Sequence, residues 1–191
     1  RLAGKNFAFP VGVSVAKTNS AATVETEQGI ADYVKAYKAF RDIGSYITIN
    51  ISCPNAFGAE PFTDPQKLDK LLSRISEAGM RKLVFLKLAA DLSVGEVDAI
   101  LAVGAKNHIS GYICTNLMKN RNTTALKEAN VPDKGGISGK AMQTLSDDMV
   151  KHVYYTVRGT GAIVIGCGGV FTAEDAYRKI RRGAVLIQLI T

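Results

Sequence analysis

The stretch "AIVIGCGGVFTAEDAYRKIRRGAVLIQLIT", residues 162–191, sets two apolar runs on either side of one amphipathic segment. Ala162 to Gly166 and Val185 to Leu189 have the length and the Val/Ile content of buried strands. Between them, Thr172 with Asp175 three residues on reads as a capping box ahead of "AYRKI". The cations of "RKIRR" at 178–182 suit a helix C-terminus before Gly183, and a solvated helix end is the reading they favour. A strand, a helix and a second strand in so short a span make a parallel crossover unit. Gly168 and Gly169 fall at the end of the first strand, where a chain without β-carbons can approach a phosphate closely.

The same alternation extends upstream. Val11 to Val15, Tyr46 to Ile51, Leu83 to Leu88 and Gly111 to Thr115 are further strand candidates. Thr63-Asp64-Pro65 offers a cap and a proline for a helix that Gly79 stops, and Ser93 with Glu96 is a second capping box. Nearly continuous apolar strands alternating with helices mean a parallel sheet. No Gly-x-Gly-x-x-Gly follows the first strand, which counts against an open dinucleotide-binding sheet. Polar residues gather instead at the ends of different strands: Asn50 to Asn55, Lys87, Thr115-Asn116 and Gly166 to Gly169. That is the habit of the (β/α)8, or TIM, barrel, whose phosphate sites lie after strands seven and eight. A complete barrel needs eight units and typically about 250 residues. The reading is therefore a partial barrel, lacking N-terminal strands and final helices, with residues 1–191 as one domain. Residues 116–140 form one long polar, glycine-bearing loop, and loops of that length are usually functional or disordered.

Composition narrows the function classes. The chain has 191 residues, 47% of them hydrophobic, enough for a well-buried core, and no apolar run long enough to span a membrane. Three cysteines, Cys53, Cys114 and Cys167, are widely spaced and odd in number, which argues against a disulfide framework and for an intracellular protein. No C-x-x-C pair occurs and the two histidines lie at no ligand spacing, so no metal site is expected. The net charge of +7 is scattered, and with no tryptophan and few aromatics it does not argue for nucleic acid.

"NISCPNAFG", residues 50–58, places a thiol, two carboxamides and a hydroxyl where the second strand ends. Pro54 and Asn55 serve a turn equally well, with Cys53 as a small hydrophobe, so two readings stand side by side. The sharper one is an active-site loop.

A resemblance decides between them. "NISCPNAFG", "FLKLAADL", "YICTN", "GGISGKAM" and "IGCGGVFTAEDAYRKIRRGAVLIQLIT" occur in the order of the dihydroorotate dehydrogenases, which the chain resembles over essentially its whole length. These are FMN enzymes of pyrimidine biosynthesis built on a (β/α)8 barrel. The resemblance implies that Cys53 is the catalytic base, which takes a proton from C5 of dihydroorotate while the flavin accepts the hydride from C6 to give orotate. It implies that Asn50, Asn55 and Asn116 hold the pyrimidine and its carboxylate, with Asn50 also beside the flavin. It puts Lys87 next to the flavin, Thr115, Ser138 and Gly139 on it, and Gly168, Gly169, Ile190 and Thr191 around its phosphate. Ser14 and Leu117 occupy family positions for flavin and substrate, but with changed residues. The family usually has asparagine for Ser14, Thr or Ser for Leu117 and an aromatic for Ile190.

A cysteine base resembles the soluble class, whereas "VGVSVAKTN", the long 116–140 loop and "GGISGKAM" resemble the quinone-using class. Several segments outweigh one residue, so quinone is the implied acceptor, with peripheral membrane contact through segments outside this chain. Two alternatives remain open at this point. One is a dihydrouridine synthase-like flavin barrel acting on tRNA, although Ser52 stands where that family has glycine. The other is a non-catalytic barrel remnant.

Overall fold

The computed structural model describes residues 4–5, 7–52, 61–123, 125–127 and 130–189. Six strands form one sheet: β1 (Gly12–Ala16), β2 (Tyr46–Asn50), β3 (Leu83–Lys87), β4 (Gly111–Cys114), β5 (Ile163–Cys167) and β6 (Leu186–Gln188). Their order in the sheet is their order in the chain, and every neighbouring pair is parallel. An open doubly wound sheet would reverse its order at a switch point; a strictly sequential one winds in a single direction, as a barrel does. The sheet is a half-barrel.

Helices α1 (Thr26–Phe40), α2 (Pro65–Glu77), α3 (Val94–Lys106), α4 (Gln143–Val157) and α5 (Ala173–Arg181) follow the first five strands, and each packs on the next. Their ends obey local chemistry. Asp64 accepts from the amides of Gln66 (3.1 Å) and Lys67 (2.9 Å), with Pro65 at the first helical position, where its missing N–H costs nothing. Ser93 with Glu96 and Thr172 with Asp175 form complete capping boxes ahead of α3 and α5. In α2, Leu68, Leu71, Leu72 and Ile75 repeat at helical spacing and are all buried. Each such side chain contributes about 1.5–3 kcal/mol on burial.

Alternation along the strands sorts the two faces of the sheet. Val15, Ile47, Ile49, Val84, Leu86, Tyr112 and Val164 join the helices in the main core. Tyr46, Phe85, Ile113, Ile163, Ile165 and Cys167 form a second cluster on the concave face, with Tyr46 edge-on to Phe85 at 5.6 Å. Leu83 and Leu186, on that same face, are 54% and 56% exposed. Parallel register then lines up the strand ends on one rim. Asn50 pairs with Lys87, Cys114 with Gly166, and Cys167 with Gln188.

One sequence expectation needs correction and another gains detail. "RKIRR" is not a wholly solvated helix end: Lys179 is fully buried, 2.7 Å from Asp147 Oδ1 and 2.8 Å from Ser146 Oγ. Arg178 Nε reaches the other oxygen of Asp147 at 2.7 Å, so the acidic partner lies on α4, out of sight of any local pattern. The 116–140 segment, in turn, is folded back on itself. Met118 and Ile137 make an antiparallel bridge, and the Arg121 guanidinium donates to the carbonyls of Lys119, Pro132 and Gly135 at 2.8–2.9 Å.

Candidate functional site

A cleft of about 330 Å³ opens on the rim where the strands end. Lys87 enters it from β3; Thr115, Asn116 and Leu117 enter from the end of β4. Ser138 and Gly139 arrive from the folded-back loop, Gly168, Gly169, Val170 and Phe171 follow β5, and Gln188 ends β6. Larger grooves exist, such as the one of about 620 Å³ lined by Glu27, Lys35, Lys38 and Arg74 on α1 and α2. Those charged side chains are surface groups of two helices, whereas the rim cleft collects polar residues from several strand ends.

Main-chain bonds hold the cleft open at a defined height. Leu88 N–H donates to Ile113 O (3.1 Å), Asn116 N–H to Leu88 O (2.8 Å) and Thr115 N–H to Cys167 O (2.9 Å), prolonging the ladder past β4. Gly168 and Gly169 have φ of 107° and 68°, and a β-carbon on Gly169 would lie 2.6 Å from Gln143. Only glycine turns the chain there, because Met142 and Gln143 pack where side chains on Gly168 and Gly169 would stand.

Thr115 is 2% exposed, yet its hydroxyl has no hydrogen-bond partner among the described residues. A buried hydroxyl without a partner costs about 1–3 kcal/mol, so one that lines a cleft is suited to a ligand atom. Lys87 Nζ is 3.5 Å from Gln188 Oε1, a long contact that leaves the ammonium free to face the cleft. Beneath it, burial pushes the Cys167 thiol up, while Lys87 and Lys179 pull the other way. Cys114 is raised still further by full burial. Both thiols are protonated core groups at neutral pH.

Beside the cleft lies a knot of carboxamides. Asn50 Oδ1 accepts from the Ser52 amide (3.2 Å) and hydroxyl (2.9 Å), and Asn116 Nδ2 donates to Ser52 Oγ (3.0 Å) and to the Ser52 carbonyl. A backbone N–H can only donate and a carbonyl only accept, so these bonds fix the amide orientations. Among the described residues, the Asn50 amino group and the Asn116 oxygen are left outside this knot. Tyr33, from α1, pins the Asn50 carbonyl at 2.7 Å.

The sequence-marked residues thus fall into three sets. Lys87, Thr115, Asn116, Leu117, Ser138, Gly139, Gly168 and Gly169 line one cleft, with Asn50 bonded to Asn116 beside it. Ser14 lies on β1, paired with Thr48, exposed and away from the cleft lining. Cys53, Asn55, Ile190 and Thr191 lie outside the described residues. Ser52 was noted as the loop's hydroxyl but given no role, and Gln188 went unmarked, although it is a polar residue closing an apolar strand, the same signal that singles out Lys87. No cluster of His, Cys, Asp and Glu among the described residues could hold a metal ion.

Comparison with known proteins shows the family. The sequence profile described as "Dihydroorotate dehydrogenase" matches residues 3–191. The chain belongs to the dihydroorotate dehydrogenase family. A Haloarcula marismortui protein named dihydroorotate dehydrogenase (quinone) is 36% identical over the whole chain, which covers 52% of that relative. A Gloeobacter violaceus protein of the same name is 31% identical, again over the whole chain and 52% of the relative. The chain spans about half the length of the curated relatives it matches. Among solved structures, an Eimeria tenella DHODH in complex with ferulenol superposes with a TM-score of 0.78 at 25% identity, covering 84% of this chain and 48% of that one. Dihydroorotate dehydrogenase membership displaces the tRNA-modifying alternative, and the half-barrel is the part of that family's fold that these residues form.

Proposed function

We propose that the protein containing this chain is an FMN-dependent oxidoreductase that converts (S)-dihydroorotate to orotate in pyrimidine biosynthesis and passes the electrons to quinone. The observation that carries the flavin reading is the buried, partnerless Thr115 hydroxyl in a cleft that also holds Lys87 and a glycine turn. FMN fits that donor set. Thr115, Ser138 and Gly139 would contact the flavin, and the turn at Gly168 and Gly169, with Ile190 and Thr191, would hold its phosphate. When bound, FMN supplies the hydride acceptor.

The chain's own residues supply the rest. Asn50 and Asn116, held by Ser52, present one donor and one acceptor to the pyrimidine, and Asn55 completes the set. Leu117 is an apolar wall at a position where the family has a hydroxyl. Cys53 takes the C5 proton; its reference pKa of about 8.5 can be lowered by nearby cations. Lys87 places a positive charge where negative charge develops.

Quinone as acceptor rests on the names of the relatives and on the segments that resemble that class. Peripheral membrane contact goes with a lipid-dissolved acceptor, and no described helix is long and apolar enough to cross a bilayer. The test is anaerobic mixing of the full-length protein with dihydroorotate, followed by reoxidation with a short-chain quinone, fumarate or NAD. Bleaching of bound flavin and recovery with quinone alone are expected. A flavin-free protein, or one whose flavin dihydroorotate leaves coloured, overturns the activity; recovery with fumarate or NAD overturns the acceptor.

A further inference from the structure

Asp175 makes more bonds than its place in a helix cap requires. In a capping box the third helical residue returns to the cap amide, and Asp175 does so at 3.2 Å from Thr172 N, while Thr172 Oγ1 accepts from the Asp175 amide at 3.2 Å. The same carboxylate also accepts from the Phe171 amide (2.9 Å) and from Arg178 (2.7 Å), and the Lys140 ammonium donates to both of its oxygens (2.7 and 3.0 Å). Lys140 belongs to a different segment, the short 3-10 turn Gly139–Met142 that follows Ser138. Its Nζ also lies 5.4 Å from the Phe171 ring centroid. These bonds, Lys140 foremost, hold the Asp175 carboxyl well below the usual carboxylate range.

The two segments that meet at Asp175 both line the rim cleft, through Ser138–Gly139 and Gly168–Phe171. Behind them the chain of charges continues inward. Arg178 passes from Asp175 to Asp147, Asp147 binds Lys179, and Lys179 donates to Ser146. The Ser146 hydroxyl in turn donates to the Cys167 carbonyl at 2.7 Å, on the cleft floor. One polar chain therefore runs from the lip of the cleft to its base.

We propose that Asp175 is a positioning residue for the cleft: with Lys140 it clasps the Ser138–Gly139 loop to the Gly168–Phe171 turn and sets the gap between them. The clasp touches no reacting atom. Its role in cofactor retention rests on the flavin reading of the cleft, while the clasp itself is a property of the loops.

Three variants of the full-length protein separate the clasp from the cap. Lys140→Gln breaks the clasp and spares the capping box; Lys140→Arg retains a cation of similar reach; Thr172→Ala removes the cap hydroxyl and spares the clasp. FMN dissociation constants, melting temperatures and amide exchange in residues 138–142 are measured for each. Lys140→Gln is expected to weaken FMN binding about two- to fivefold, the scale of one ion pair at a partly exposed site, with a small drop in melting temperature. It also speeds exchange in 138–142. Lys140→Arg restores both, and Thr172→Ala lowers the melting temperature without weakening FMN. The proposal is overturned if Lys140→Gln leaves exchange in 138–142 unchanged, or if Thr172→Ala weakens FMN as much as Lys140→Gln does. Failure of the unsubstituted protein to bind FMN refutes the flavin reading instead, and the exchange measurement then decides the clasp alone.

Discussion

Replacing Thr115 with valine reverses the sign of one energy term between the empty and the loaded protein. The two side chains have the same shape, so the change exchanges a hydroxyl for a methyl group in a site only 2% exposed. Without ligand, the hydroxyl has no partner and costs about 1–3 kcal/mol of desolvation. Valine removes that cost, so FMN-stripped Thr115→Val should be more stable than its parent. For a protein of this size each kcal/mol raises the melting temperature by about 2–4 °C. Flavin binding satisfies the hydroxyl in the parent and recovers the same energy, which valine cannot do. Affinity for FMN should therefore fall about 5- to 150-fold, the equivalent of about 1–3 kcal/mol. The loaded proteins should melt close together, because the gain and the loss cancel. Thermal unfolding of stripped and loaded protein, with a fluorescence titration of FMN, measures all three quantities. A stripped variant less stable than its parent, or an unchanged FMN dissociation constant, would refute the assignment of this hydroxyl to a ligand.

Four further outcomes are expected in the full-length protein. Lys87→Ala should slow flavin reduction by dihydroorotate by a factor worth a few kcal/mol while leaving the fold intact, read by single-turnover bleaching. Cys53→Ala should bind FMN and orotate yet bleach about 10²- to 10⁴-fold more slowly, and Cys53→Ser should keep partial activity with a raised pH optimum; an alanine variant at the parental rate would remove Cys53 from the chemistry. Asp147→Ala should cost about 3–5 kcal/mol in urea unfolding because it strands the buried Lys179 ammonium, whereas Lys179→Met, which leaves Asp147 bound to Arg178, should cost less. Asp175, with its carboxyl held low mainly by Lys140, stabilises the protein above its unfolded pKa and loses that contribution as the pH falls towards the folded value. The difference in melting temperature between parent and Asp175→Asn should accordingly narrow as the pH drops below about 4.

The strands were legible because a parallel sheet covered on both faces writes itself as short Val/Ile/Leu runs, and each of the six sits within a residue or two of its apolar run. Asp64, Ser93 and Thr172 were legible because a helix N-terminus is a local problem with a local solution. Lys179 was not, since its neutralising partner Asp147 sits on the preceding helix and nothing in "RKIRR" encodes that meeting. Arg121 was missed for a related reason: its three acceptors are backbone carbonyls, which every residue possesses. In the site, Lys87 and Thr115 stood out as polar residues at strand ends. The bridging role of Ser52 did not, because it links Asn50 to Asn116, and Asn116 is brought near by the pairing of β2 with β3 and of β3 with β4.

The sequential order of the sheet has a consequence for how the protein is made. A ribosome delivers the chain from its N-terminus, and among the described strands the order of synthesis coincides with the order of pairing: Gly12 meets Tyr46 before Ile165 meets Leu186. No strand waits for a partner beyond the next one, so the growing sheet adds a unit only at its newest edge. The exposed moment is the interval after Cys114, while the folded-back loop and α4 are still being translated and β4 has no neighbour on its far side. An unpaired parallel edge is a template for wrong partners, and that interval is the longest on this chain. Translational pausing within residues 115–162 should therefore be the point at which nascent chains of this protein are most prone to aggregate.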